Sequence, residues 1–274
     1  MRILVTGATG NVGGELIRQL AADDVAIRAI SRKPADASLP NSVEIVFGDV
    51  DQPESVAAAG QDVDAAFVMA AGHNSGGLRA LADAGVQRVV YLSALTVQTR
   101  PGYMIGAAHE AAERDLARLF TDWTVLRPGQ FASNAFWWRG MIPAGTIYAP
   151  FPDVATPMID PYDIAAVARI VLLDQDGSHA GAAYGLTGPE STSARDRVAI
   201  LAKVLGRELR LVEIDRATAR SQMGIPDELA DAALELTGNP NAEEIKVLPT
   251  AAEILGRQPR TFEEWAVANK SALA

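Results

Sequence analysis

The chain's 274 residues, 49% hydrophobic and 21% charged, suit one large soluble domain or two small ones and carry a formal charge of −10. The complete lack of cysteine excludes disulfides, thiolate nucleophiles and thiolate-bound metals, and the acidic balance disfavours nucleic acid as a partner. Three histidines, His73, His109 and His179, lack ligand-like spacing, so no metal is expected, and no apolar run approaches the ~20 residues that span a bilayer.

Apolar, β-rich runs at 2–6, 25–30, 43–47, 64–69, 87–92 and 123–127 predict strands. Several are nearly continuous rather than alternating, as in strands buried on both faces. The stretches 12–22, 53–59, 74–84 and 104–120 between them predict helices. Alternating strand and helix implies an α/β fold built on a doubly wound parallel sheet with right-handed crossovers. From 130 to 160 the chain is rich in Pro, Gly and aromatics and reads as irregular. A helix at 161–173 opens on Pro161, which a first turn tolerates. Further helices are predicted at 192–205, 226–236 and 261–271, with short strands at 182–187 and 209–214 extending the sheet. The first strand begins at once, without a basic region or cleavage site, so no signal peptide is expected and a cytoplasmic location fits.

Residues 2–20, RILVTGATGNVGGELIRQL, place a glycine cluster between the first strand and the first helix. A helix N-terminus there offers main-chain N–H groups and partial positive charge to a pyrophosphate. Gly7 makes the tight turn, Gly10 admits phosphate to the backbone and Gly13 lets helix and strand approach, with Thr9, Asn11 and Val12 completing the loop. The spacing is one residue longer in its first gap than the usual dinucleotide fingerprint. At the end of the second strand, where a carboxylate would hold the ribose of NAD, the chain reads Ser31, Arg32 and Lys33. A hydroxyl and two cations suit a 2′-phosphate, so NADP(H) is expected in preference to NAD(H); a solvated basic turn is the plainer alternative. Asp49 and Val50 after the third strand suit the adenine, and Asp49 would equally serve to cap helix 53–59.

With TGATGNVG, SRKP and GDV at these places, and VVYLSA at 89–94, HEAAE at 109–113, WTVLRPGQFASN at 123–134 and TPMIDPYDIAAVA at 156–168, the chain resembles the atypical short-chain dehydrogenase/reductases, and within them the NmrA-like group that includes type-2 quinone oxidoreductases. The resemblance implies a Rossmann-like dinucleotide domain over 1–130. It also implies a smaller α+β region over 131–274 that caps a substrate cleft, part of its chain returning to the first sheet. The group holds reductases, isomerases and dehydratases of small aromatic or carbonyl compounds, and dinucleotide-binding regulators.

The catalytic pair of the wider superfamily, Tyr-x-x-x-Lys with an upstream Ser, is incomplete. Ser93 stands where the serine belongs, but four residues after Tyr103 comes Ala107, and no lysine occurs between Lys33 and Lys203. His109 and Glu113, one helical turn apart, are placed to bond to each other; His109 would donate a proton or line the pocket, with Tyr103 as a lone donor. A quinone asks little more than positioning, which supplies roughly 7–11 kcal/mol at best. Met69, Ala70 and Ala71 after the fourth strand would border the nicotinamide half of the cofactor, near Ser93. His73, Gln130, Phe131, Phe136 and Trp137 would line the substrate pocket, the aromatics also being candidates for ordinary packing. The expected activity is NADPH-dependent reduction of a small apolar carbonyl or quinone-like molecule. A non-catalytic NADP(H) sensor and a non-redox isomerase, dehydratase or cyclase are the alternatives; no membrane or nucleic-acid partner is expected, and a homodimer is one option.

Overall fold

The structure is a computed structural model that describes residues 1–37, 39–69 and 75–274. Its first elements are β1 (Arg2–Val5), α1 (Asn11–Leu20), β2 (Ala26–Ser31), β3 (Val43–Phe47), α2 (Pro53–Ala59), β4 (Ala65–Val68), α3 (Ser75–Asp83), β5 (Arg88–Leu92), α4 (Thr96–Thr99), α5 (Met104–Leu119) and β6 (Asp122–Pro128). There follow β7 (Gln130–Phe131), β8 (Thr146–Ala149), β9 (Thr156–Ile159), α6 (Pro161–Leu173), β10 (Ala182–Leu186) and β11 (Ser191–Thr192). The chain ends with α7 (Ala194–Leu205), β12 (Arg210–Glu213), α8 (Arg216–Gln222), α9 (Asp227–Gly238), α10 (Thr250–Leu255), α11 (Phe262–Ala268) and α12 (Lys270–Leu273).

The chain forms two compact units. The first comprises Met1–Gly102, Gly106–Pro128 and Pro161–Gly185, and is organised by a seven-stranded sheet in the order β10-β6-β5-β4-β1-β2-β3. Parallel pairing of β1 with both β2 and β4 sets Ile3 beside Ile27 on one side and Ala65 on the other. Strand order therefore reverses at β1/β4, the switch point at which open α/β sheets bind ligands. Each face of the sheet is sealed by helices, which is why its strands read as unbroken apolar runs. Leu4, Val68 and Val89 share one core with Val56 of α2, Leu78 of α3 and Leu116 of α5. Neighbouring Ile3 and Val5 are also fully buried, and α1 packs with α6, which in turn contacts β4, β5 and β6. Arg88 ties the beginning of β5 to Asp122 at 2.8 Å and donates to the carbonyl of Leu172 at 3.0 Å.

The second unit comprises Tyr103–Ile105, Gly129–Asp160 and Leu186–Ala274. It holds a three-stranded sheet, β11-β9-β7, and a two-stranded parallel one, β12-β8. The region 130–160 is thus more ordered than its sequence predicts, with three strands and two short 3₁₀ turns, at Ala132–Trp138 and Ile142–Ala144. Its strands are two to four residues long, too short for a period to show. The strand expected at 209–214 does not extend the main sheet: β12 pairs with β8, Arg210 opposite Thr146, and Leu211 packs on the second unit's own core. Helices α7 and α11 start on capping boxes, Ser193 with Asp196 and Thr261 with Glu264. Phe262 and Trp265 anchor that core with Ile142, Ile147 and Leu201. Among the described residues no helix is long and apolar enough to cross a membrane.

Trp265 is 2% exposed and packs edge-on against Phe136 at 5.2 Å between ring centres. Trp265→Ala is expected to remove about 3–5 kcal/mol of stability, measured as a lowered urea midpoint.

Candidate functional site

The loop between β1 and α1 is shaped by close contact at two glycines. Gly7 has φ +63°, and a Cβ there would stand 2.3 Å from the Met69 methyl carbon. A Cβ on Gly13 would stand 2.3 Å from the carbonyl oxygen of Gly7, so only glycine lets α1 start this close to β1. The Gly10 N–H donates to the Gly7 carbonyl at 2.9 Å and closes the turn. Gly10 caps α1 without a side-chain bond, and no acidic residue lies in the first turn. Such an end presents positive potential to an anion. Thr9, Gly10 and Asn11 are exposed, whereas the Val12 side chain is buried in the core.

Across the switch point, Thr6 at the end of β1 and Met69 after β4 are stitched together. The Met69 N–H donates to the Thr6 hydroxyl oxygen at 2.7 Å, and that hydroxyl donates to the Met69 carbonyl at 3.1 Å. At the end of β2, the Ser31 hydroxyl accepts from the Lys33 N–H at 3.1 Å. Arg32 and Lys33 are exposed, and neither forms an ion pair with a described residue. Asp49 does not cap α2, whose N-cap is Gln52; its carboxylate accepts from the Asp51 N–H at 3.1 Å. The Ser55 hydroxyl holds the Asp49 backbone by both its N–H and its carbonyl, each at 2.9 Å. A close-packed glycine turn, a helix end without a side-chain cap and two cations with no ion-pair partner among the described residues fit a dinucleotide, which supplies hydride when bound in reduced form. The main-chain N–H groups of the first turn of α1, just after Gly10, would hold its pyrophosphate.

A second cluster stands where β5, α5 and β6 meet. Glu113 on α5 is gripped by Arg127 through two bonds, Nε at 3.1 Å and Nη2 at 2.5 Å, and accepts the Ser93 hydroxyl at 2.5 Å. Ser93 has therefore committed its proton to a carboxylate. The sequence predicts His109 as the partner of Glu113, but the structure pairs His109 with Tyr91: Nδ1 and the phenol oxygen are 3.1 Å apart, the rings edge to face. Both Glu113 oxygens are engaged by Arg127 and Ser93, and the histidine bonds to a neighbour on β5 instead. Burial pushes the His109 imidazole pKa down, against the opposing pull of the Glu113 charge. Burial, reinforced by Glu113, pushes the Tyr91 hydroxyl pKa up.

The other expected site residues lie apart from this cluster or are engaged structurally. The Tyr103 hydroxyl donates to the Ala232 carbonyl at 3.1 Å, within the second unit. Gln130 and Phe131 form β7 beside Met158 and Ile159, and the Gln130 side chain accepts from Asn134 at 3.1 Å. Phe136 belongs to the packing around Trp265, whereas Trp137 is 73% exposed. Ala70, Ala71 and His73 lie outside the described residues. Among the described residues no cluster of three or more His, Asp or Glu is placed to hold a metal ion. Sequence reasoning passed over Tyr91 and Arg127. Arg127, a charge inside the apolar run WTVLRP, was the available signal, because a cation in a buried strand requires an anion.

Helix propensity alone would make Gly13→Ala stabilising by about 1 kcal/mol. The collision with the Gly7 carbonyl reverses that sign, so the variant is expected to melt earlier and to bind NADPH at least about tenfold more weakly by calorimetry. Arg127→Met is expected to cost about 3 kcal/mol in chemical denaturation, because it strands the Glu113 charge; adding Glu113→Gln should recover part of the loss.

Comparison with known proteins agrees with this geometry. A profile of NAD(P)H-binding proteins matches residues 7–174. The chain is 33% identical to the (4-alkanoyl-5-oxo-2,5-dihydrofuran-3-yl)methyl phosphate reductase of Streptomyces griseus, the alignment covering 99% of each chain. It is 31% identical to the NAD(P)H azoreductase of Xenophilus azovorans, over 98% of each. Among solved structures, an NADPH-dependent quinone oxidoreductase from Escherichia coli superposes with a TM-score of 0.81 at 25% identity, covering 98% of this chain and 99% of that one. The chain belongs to the NAD(P)H-binding family, among full-length relatives named as reductases, and resembles the NmrA-like group of atypical short-chain dehydrogenase/reductases.

Proposed function

We propose that the protein is an NADPH-dependent reductase of a small, apolar, aromatic carbonyl or quinone-like acceptor. The observation that carries the cofactor choice is the end of β2. Ser31, Arg32 and Lys33 occupy the place at which a carboxylate would bind the ribose hydroxyls of NAD, and both cations are exposed and without an acidic partner among the described residues. Such a guanidinium grips a 2′-phosphate through two parallel hydrogen bonds.

The acceptor class follows from what the proton-transfer groups are doing. Ser93 donates to Glu113, Tyr103 donates to a main-chain carbonyl, and the chain has no lysine between positions 33 and 203. This is poor equipment for the acid–base chemistry of simple ketones and alcohols. A quinone, enone or azo acceptor needs the hydride and a modest hydrogen bond, after which water provides the proton. Full-length relatives named for reduction of an oxo-dihydrofuran phosphate and of azo compounds support this class. On this reading the partner is a small molecule rather than nucleic acid, the protein works in the cytoplasm, and a homodimer is compatible with it.

Arg32→Ala should weaken NADPH binding by about tenfold or more while leaving NADH unchanged. Equal losses for the two dinucleotides would reject the phosphate-binding role. Oxidation of NADPH should be seen with benzoquinone, menadione or an azo dye. Tight NADPH binding with no turnover on any of them would instead identify a dinucleotide sensor.

A further inference from the structure

The contact between Tyr91 and His109 has a direction, and that direction decides what the histidine can do. Two arrangements satisfy the 3.1 Å separation of the phenol oxygen and Nδ1. In one, Nδ1–H donates to the phenol and the phenolic proton must find a different acceptor. Tyr91 is 0% exposed, and no other described residue accepts from it. A buried hydroxyl proton without an acceptor is costly, so this arrangement is disfavoured. In the other, the hydroxyl donates to an unprotonated Nδ1, and the buried phenol proton and Nδ1 satisfy each other. A neutral imidazole that accepts at Nδ1 carries its proton on Nε2.

We infer that Tyr91 is a positioning residue that locks His109 as the neutral Nε2–H tautomer, turning it into a hydrogen-bond donor for the heteroatom of the acceptor. This deepens the reductase reading and rests on it for the substrate, but the tautomer assignment stands on the protein alone. The groups that face His109 agree with it. From β5 comes the Tyr91 hydroxyl, held in its protonated form by burial and by the nearby carboxylate. From its own helix comes Glu113, whose charge would otherwise draw a proton onto the ring. Arg127 of β6 and the Ser93 hydroxyl occupy both Glu113 oxygens, so the carboxylate is already balanced. His109 Nε2 has no partner among the described residues. During reduction the acceptor carbon takes the hydride with its electron pair, charge gathers on the attached oxygen or nitrogen, and Nε2–H meets that charge; water then supplies the proton. A preset neutral donor of this kind needs no change of its own protonation state.

The test is a long-range proton–nitrogen correlation spectrum of nitrogen-15-labelled protein near neutral pH, with His109→Gln used to assign the signal among three histidines. The expected result is a pyrrole-type Nε2 and a pyridine-type Nδ1 for His109. Either an Nδ1–H pattern or an imidazolium would overturn the proposal. In Tyr91→Phe the ring loses its donor, so the His109 signals should move towards a mixture of tautomers, and kcat with menadione should fall about tenfold with the KM for NADPH unchanged. Unchanged His109 shifts in that variant would overturn the role of Tyr91. Should Tyr91→Phe not fold, the wild-type spectrum alone decides. The Nε2–H pattern with no turnover on any acceptor would reject the reductase reading and leave the tautomer assignment standing.

Discussion

Everything in the first unit is arranged around a close main-chain approach. Helix α1 begins so near β1 that the Gly7 carbonyl occupies the space a side chain at position 13 would need. The same turn is backed by Met69, whose own backbone is stitched to Thr6 across the reversal in strand order. Geometry of this kind leaves a helix end with no side-chain cap facing the carboxyl edge of a parallel sheet. The seven strands and the helices on both faces carry that turn to the sheet's carboxyl edge, where open α/β sheets bind ligands.

The second constraint is electrostatic. Glu113 and Arg127 place opposite charges between α5 and β6, with Ser93 completing the carboxylate's coordination. Burying a charge is tolerable only when it is paired and hydrogen-bonded, and here Arg127 of β6 and Ser93 just after β5 supply three bonds. The serine that serves catalysis in the wider superfamily is thereby converted into a structural donor. The neighbouring pair, Tyr91 and His109, is held by the contact between the phenol oxygen and Nδ1; on the proposed reading the chemistry is left to that histidine, and the electrons come from a cofactor.

The residues that were legible in the sequence are those whose identity admits few explanations. Four glycines between a strand and a helix are of this kind, because at Gly7 and Gly13 a Cβ would collide with its neighbours. The parallel sheet was legible because burial on both faces writes itself as an unbroken apolar run. The short strands β7, β8 and β9 were not, since two to four residues carry no period. Strand β12 reads as a strand, but its pattern does not tell which sheet it joins, because pairing depends on where the chain is delivered. Tyr91 lies in an apolar run and looks like core until its hydroxyl is seen to meet His109. The Tyr103 hydroxyl bonds to a carbonyl 129 residues away, and a main-chain acceptor has no spelling in sequence.

The bracing of α1 sets a timetable for the nascent chain. The helix is held from behind by α6: Gln19 donates to the carbonyl of Tyr162, 143 residues later, and Arg169 clasps Asp23. Helix α6 is apolar along most of its length and covers one face of the sheet. The glycine turn is thus secured from behind by a segment that emerges 143 residues after Gln19. Until the segment beyond residue 160 has emerged, that face of the sheet is open, and the coenzyme has no finished site through which to stabilise the growing polypeptide.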